Sequence, residues 1–231
     1  MTPPIIVVTG MPFEARIARG DGVRVVCAQN LTLEADLEAA IAESGARGLV
    51  SFGTAGGLIP GVKPGQWVIA HKVLDMPQHA RESVTSIPWA EALHRAMPGA
   101  LRADMAGVTA PVVSAADKAA LFRESGAAAA DMESHIVARV AQAHELPFVV
   151  ARVVIDPAER SLPPAALAGM RSDGSTDILG VLRSLAANPM QLPALLRVGQ
   201  DAGRAKQAMR HGRQIVALKL GDGFGAVAAG I

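Results

Sequence analysis

The run Phe148-Val149-Val150-Ala151-Arg152-Val153-Val154-Ile155 constrains this chain more than any other segment. It is bounded by Pro147 on one side and Asp156-Pro157 on the other. A nearly continuous apolar run of that length reads as a strand buried on both faces, at the centre of a sheet covered by further layers. Shorter runs of the same kind stand at Ile5–Thr9, Val23–Ala28 and Gly48–Phe52, with more strand material at Gln66–Val73 and Gly107–Val113. Between them, Leu33, Leu37, Ala40 and Ile41 recur at helical spacing and predict a helix over Thr32–Ser44, without a capping box because Ala35 follows Thr32 by three residues. Ala116–Glu124 and Ser134–His144 read as helices as well. The segment holding Pro77 and Pro88 has no clear pattern, and the short run Ala127–Ala130 leads as a strand into the next motif. Alternation of strands and helices predicts a layered α/β domain, a central mixed twisted sheet flanked by helices. From about Pro163 onward Ala, Leu, Arg and Gln dominate, which predicts a helical C-terminal region. The expected organisation is one domain over residues 1–220, with a flexible end at 221–231.

Charge narrows the function classes. Lys plus Arg number 22 and Asp plus Glu 21, so no general pull toward nucleic acid exists and none is expected as a partner. Cys27 is the only cysteine and cannot form an internal disulfide; Ile5–Val8 is too short an apolar run for a signal peptide. A cytoplasmic protein is the expectation, without a membrane span, since no apolar stretch reaches about 18 residues. The balance breaks locally: residues 190–219 hold six basic residues (Arg197, Arg204, Lys206, Arg210, Arg213, Lys219) against the single acid Asp201. With Leu195, Leu196, Val198 and Met209 as apolar partners, this segment raises peripheral contact with the inner membrane surface as one expectation. A helix packed on the domain or at a subunit interface is the other.

Four places carry groups suited to chemistry. Ser51–Gly57 reads Ser-Phe-Gly-Thr-Ala-Gly-Gly after a predicted strand. The amides of Gly53, Ala55 and Gly56 can crowd around an anion or a reacting oxygen, with the Thr54 hydroxyl beside them, or the cluster is simply a tight turn. It fits neither the Walker pattern nor the dinucleotide fingerprint. In Asp131-Met132-Glu133-Ser134 an acid either caps the following helix or, as Glu133, accepts two hydrogen bonds from a ribose diol. Asp156 stands at the carboxyl end of the central strand, where a partly buried acid with a raised pKa can give a proton to a leaving group; an ordinary Asp-Pro turn is the alternative. Glu14 follows the first strand, as a solvated first-turn acid or as a fourth site group. The six histidines show no ligand-like pairing, so no metal is expected.

Taken together, Gly53–Leu58, Asp131–Glu133 and Pro147–Asp156 resemble, in order, the G-[ST]-A-G-G-L, [ED]-M-E and P-F-x-V-x-R-x-x-x-D motifs of the purine nucleoside phosphorylase and methylthioadenosine nucleosidase superfamily, over roughly residues 4 to 160. Residues 156–164 and 192–205 look like the hopanoid-associated phosphorylase branch, linked to removal of adenine from adenosylhopane in hopanoid biosynthesis. The resemblance implies a three-layer phosphorylase/nucleosidase-like fold and cleavage of a purine N-glycosidic bond. It makes Asp156 the acid that protonates purine N7, Glu14 the base that activates water, Glu133 the binder of the ribose hydroxyls and Thr54 the hydroxyl near the nucleophile. Gly53, Ala55, Gly56, Val113, Ser114, Met132 and Arg152 complete the implied substrate-binding set. No cofactor is needed, and phosphate is the one co-substrate allowed. The motifs also depart from the pattern. Ser114-Ala115-Ala116-Asp117 stands where related nucleosidases have Ser-Gly-Asp and then an aromatic residue, leaving no aromatic floor for the purine. Ser51 occupies the place of a phosphorylase Arg, for which Arg16 or Arg19 could substitute. The acceptor stays open between water and phosphate, with Glu14 favouring water. Methylthioadenosine, adenosylhomocysteine or a futalosine-type compound is the rival substrate class, and a non-catalytic nucleoside-binding protein the rival function. A homo-oligomer, most simply a dimer, is also implied.

Overall fold

A computed structural model describes residues 3–28, 30–169 and 177–221. In chain order the elements are β1 (Ile5–Thr9), α1 (Pro12–Ala18), β2 (Val23–Cys27), α2 (Asn30–Ser44), β3 (Gly48–Gly57), β4 (Trp67–Asp75), β5 (Arg81–Val84) and α3 (Ile87–Ala96). Then follow β6 (Leu101–Gly107), α4 (Ala115–Ser125), β7 (Ala129–Asp131), α5 (Ser134–Ala143), β8 (Phe148–Asp156), α6 (Pro164–Ala168), α7 (Ile178–Ala187) and α8 (Leu192–Gly221).

The strands form one mixed sheet whose neighbours run β2, β1, β3, β7, β6, β4, β5, with β8 inserted between β3 and β4. Those pairings close a ring of five strands: β3, β8, β4, β6 and β7. Two long strands make the closure possible. β3 runs parallel to β8 from Leu49 to Ala55, shifts register between Ala55 and Gly56, and then pairs Gly56 and Gly57 with β7 in the antiparallel sense. β4 lies antiparallel to β8 through Trp67–Ile69 and parallel to β6 on its other edge.

Period-two alternation sends successive side chains into two apolar layers. Ile6, Val8, Leu49 and Val150 face Leu33, Leu37 and Ala40 of α2 and Ile136, Val137 and Val140 of α5. Ile5, Val7, Val50, Val149 and Ala151 face Ala18 of α1, Trp89 and Leu93 of α3, and Ala205, Met209 and Val216 of α8. The mixed sheet between two helical layers is the expected architecture.

Several boundaries differ from expectation. The glycine-rich segment 51–57 is strand throughout and not a loop following one. α2 begins two residues earlier than the apolar spacing suggests. The strand expected over 107–113 lies over 101–107, because half-buried Arg102 and Asp104 hide its pattern while Pro111 lacks the amide hydrogen a ladder needs. The segment around Pro77 and Pro88 supplies edge strand β5 and helix α3, with Pro88 in its first turn. The expected flexible end lies, apart from Gly221, outside the described residues.

Candidate active site

The ends of β1, β3, β7 and β8 meet on one side of the sheet, and each brings a polar group. After β1 the chain turns through Gly10 and Met11 into α1, whose first turn carries Glu14. Its carboxylate is not solvated: Glu14 is 1% exposed and accepts four hydrogen bonds. Oε2 takes the amides of Gly10 and Met11, both at 3.1 Å, and Oε1 takes the amide and the hydroxyl of Thr54, both at 2.8 Å. Burial raises its pKa, against the opposing pull of Arg152 and Thr54.

In the Asp131–Ser134 cluster the capping role falls to the first acid. Asp131 does the capping, accepting the Ser134 amide at 3.0 Å, and it also accepts the Ser134 hydroxyl. Glu133 makes no such contact and turns to the site, with Oε2 3.1 Å from Arg152 Nη2. Glycine at position 10 leaves room for that carboxylate, since a Cβ would fall 2.3 Å from Glu133 Oε1. Gly53 plays the same part on β3, where a Cβ would lie 2.6 Å from Arg152 Nη1 and 2.7 Å from Glu14 Oε2.

Arg152, expected against the substrate, lies beneath the site. It is 1% exposed, and its donors go to Asp131 (2.8 Å), Glu133, Ser51 Oγ (2.6 and 3.2 Å) and the Thr54 carbonyl (3.4 Å). Burial opposes its charge, yet Asp131, Glu133 and Glu14 outweigh that cost and keep it protonated. One guanidinium cannot balance three buried carboxylates. Burial first, then the charges of Asp131 and Glu14, push Glu133 up to about 8 although Arg152 pulls it down.

Asp156 ends β8 in register with Gly56, where an added Cβ would stand 3.4 Å from Asp156 Oδ1, an ordinary contact. It remains partly accessible, with its side chain 16% exposed. Burial raises its pKa while Lys118 lowers it. Lys118, fully buried, donates to Asp156 Oδ2 and to the carbonyls of Pro157 (3.0 Å) and Arg160 (2.9 Å). The sequence reading did not include it, although a lysine one turn before Leu121 and Phe122 stands on the apolar stripe of its helix. Ser114 caps that helix by accepting the Asp117 amide at 2.9 Å, and the Val113 carbonyl accepts from Leu162, so both belong to the frame around Lys118. Met132 is half-buried, and Ala55 is buried in the sheet. Arg16 and Arg19, considered as phosphate ligands, are exposed, and neither donates a hydrogen bond to Glu14 or Thr54.

The arrangement thus offers two working ends. Glu14, Thr54 and Glu133 gather near Gly53; Asp156 and Lys118 gather near Gly56, three residues further along β3, or roughly 10 Å. The two ends differ in kind, a carboxylate held by neutral donors at one and a carboxylate paired with a buried ammonium at the other.

The chain from residue 20 to 186 matches the phosphorylase superfamily model. Among solved structures, the 5′-methylthioadenosine/S-adenosyl homocysteine nucleosidase of Helicobacter pylori is similar with a TM-score of 0.67 at 15% identity, covering 94% of this chain and 97% of that one. The Campylobacter jejuni enzyme of the same name gives 0.60 at 16%, covering 91% and 100%. Futalosine hydrolase of Helicobacter pylori gives 0.59 at 18%, covering 68% and 88%. No curated protein matches the chain.

Proposed function

Because the chain belongs to the phosphorylase superfamily, we propose that it breaks the N-glycosidic bond of a purine nucleoside. The observation that carries this reading is the pairing of two unlike carboxylate environments across β3: Glu14 held by neutral donors, Asp156 with its pKa raised by burial yet touching a buried ammonium. Asp156, whose pKa burial raises, is the acid that delivers a proton to purine N7 as the C1′–N9 bond lengthens. The carboxylate left behind falls to the charge of Lys118, so the cost of ionising it is met at the moment of transfer. Glu133 receives the ribose hydroxyls, and the charge of Glu14 favours the cationic sugar that develops.

Water is the acceptor in this reading. The donors of Arg152 are taken up by protein groups, so among the described residues no cation beside Thr54 is left to hold a phosphate anion. Glu14, with its pKa raised, is the base that takes the proton of the attacking water.

For the nucleoside itself the proposal is adenosylhopane. Its support is the likeness of residues 156–164 and 192–205 to the hopanoid-associated branch, joined by an apolar surface of Ile178, Leu179 and Leu182 on α7 and Met190, Leu192 and Leu196 at the turn into α8. That turn is tied to α6 through Gln191, which accepts the Ala165 amide at 2.8 Å, and α6 follows Asp156 by one short connection. An insoluble 5′ side chain fits such a surface. No helix among the described residues is long and apolar enough to cross a membrane. Met209, expected as an apolar membrane contact, is buried against the sheet, so apolar contact with a lipid chain falls to α7 and the start of α8. Purified protein incubated with adenosylhopane in detergent and with methylthioadenosine, each with and without phosphate, tests all three parts by adenine release. Release from the hopanoid without phosphate is expected. Release from methylthioadenosine alone moves the substrate to soluble nucleosides, phosphate dependence overturns the hydrolytic step, and no release from any purine nucleoside overturns the activity.

A further inference from the structure

Away from these carboxylates, α1 and α8 enclose a second concave site. Phe13, Arg16 and Ile17 share one face of α1, at the helical spacings of three and four residues, and Lys206, Arg210 and Arg213 share one face of α8. The two faces meet around a cavity of about 460 Å³ lined by these six residues, four of them cationic. Among the described residues none of the four lies within ion-pair distance of a carboxylate. Asp201, the one acid in this part of α8, is buried and already joined to Arg160 at 2.7 Å and Arg204 at 3.3 Å.

Two of the cations are held in place. Arg213 donates through Nε to the Ala18 carbonyl at 2.7 Å and through Nη2 to the Arg19 carbonyl at 3.3 Å, closing the carboxyl end of α1. Gly20 leaves the room for it, since a Cβ there would stand 2.3 Å from that Nη2. Lys206 Nζ lies 4.7 Å from the centroid of the Phe13 ring, the position of a cation–π contact. Arg16 and Arg210 are exposed at the rim. Four like charges converging on one hollow repel one another unless an anion shares it, and guanidinium forks match phosphate oxygens in number and plane.

We propose that this pocket binds a phosphate ester. Arg16, Arg210 and Lys206 contact the phosphate oxygens, Arg213 adds its charge, and Phe13 and Ile17 cover part of the ester's organic group. The bound ester spans α1 and α8 on a face of α1 that does not carry Glu14, so the site is separate from nucleoside cleavage. The phosphate has two sources, a free organic phosphate or a lipid headgroup, with the same oxygens presented to the same cations.

The test is binding by the full chain at low ionic strength. Inorganic phosphate is titrated by calorimetry, and flotation is measured with phosphatidylcholine vesicles with and without phosphatidic acid. Binding of at least one probe is expected, with a rise in melting temperature for soluble phosphate. The Arg16→Ala/Arg210→Ala pair is expected to weaken it at least about tenfold. Phosphate binding alone identifies a soluble ester; vesicle binding that requires phosphatidic acid identifies a headgroup. If the pair fails to fold by circular dichroism, Lys206→Gln takes its place with the same expectation. Failure of both probes to bind the unaltered chain overturns the proposal, as does binding that the substitutions leave unchanged.

Discussion

At the scale of single residues, the site depends on missing atoms as much as on charges. Gly10→Ala would set a Cβ 2.3 Å from Glu133 Oε1, so the carboxylate must move. A KM increase of about ten- to a hundredfold is expected with a smaller change in kcat, in line with the roughly 1–3 kcal/mol of forced packing. Steady-state kinetics check it. Asp156→Asn keeps the shape but has no proton to give, and kcat should fall at least about a hundredfold while the circular dichroism spectrum stays the same. Lys118→Met has a different signature. Lys118 lowers the Asp156 pKa, so its loss lets burial raise that pKa further, and the alkaline limb of the pH–rate profile should move to higher pH. An unmoved limb would separate Asp156 from the acid role or Lys118 from Asp156. Glu133 makes a prediction about stability. Its folded pKa, about 8, lies above the ordinary 4.5, so its contribution is fully present below 4.5 and is lost as pH rises to about 8. Urea midpoints should decline across that window, and the decline should be shallower in Glu133→Gln. Glu14, Glu133 and Asp156 were legible in the sequence because each follows a strand pattern. Lys118 and the buried setting of Arg152 were not, since a contact between residues 118 and 156 comes from the path of the chain and from no local spacing.

Among the elements, α8 has the tightest seat. Gly212 packs where a Cβ would meet the Trp67 ring at 2.2 Å, and Gly212→Ala must lift α8 from β4 or turn the indole. A loss of about 1–3 kcal/mol is expected, measured by urea unfolding. Legibility in the sequence followed composition at this scale. β1 and β8 carry Val and Ile on both faces and were visible at nearly their true ends. β6 was displaced because Arg102 reaches the Ile69 and Ala70 carbonyls on neighbouring β4, giving a paired strand the surface pattern of a loop. The last residues of β3 were read as a turn because Gly53, Gly56 and Gly57 lack side chains. At Gly53 and Gly57 that absence makes room for Arg152, Glu14 and Val62.

For the whole molecule, one sheet backs both apolar layers, so neither can melt without exposing the other. Unfolding followed by tryptophan fluorescence, through Trp67 and Trp89, and by far-ultraviolet circular dichroism should therefore give coincident transitions. Separate midpoints would mean that a helical layer detaches first. Closure of the five-strand ring was not legible in the sequence, since it requires β8 to reach both β3 and β4 over long separations in the chain. That order of assembly has a consequence for biosynthesis. β3 ends at Gly57 and its parallel partner begins only at Phe148, so at about 5–20 residues per second a nascent chain displays the unpaired edge of its longest strand for some 5 to 20 s. Throughout that interval the edge is open to pairing with strands of other chains.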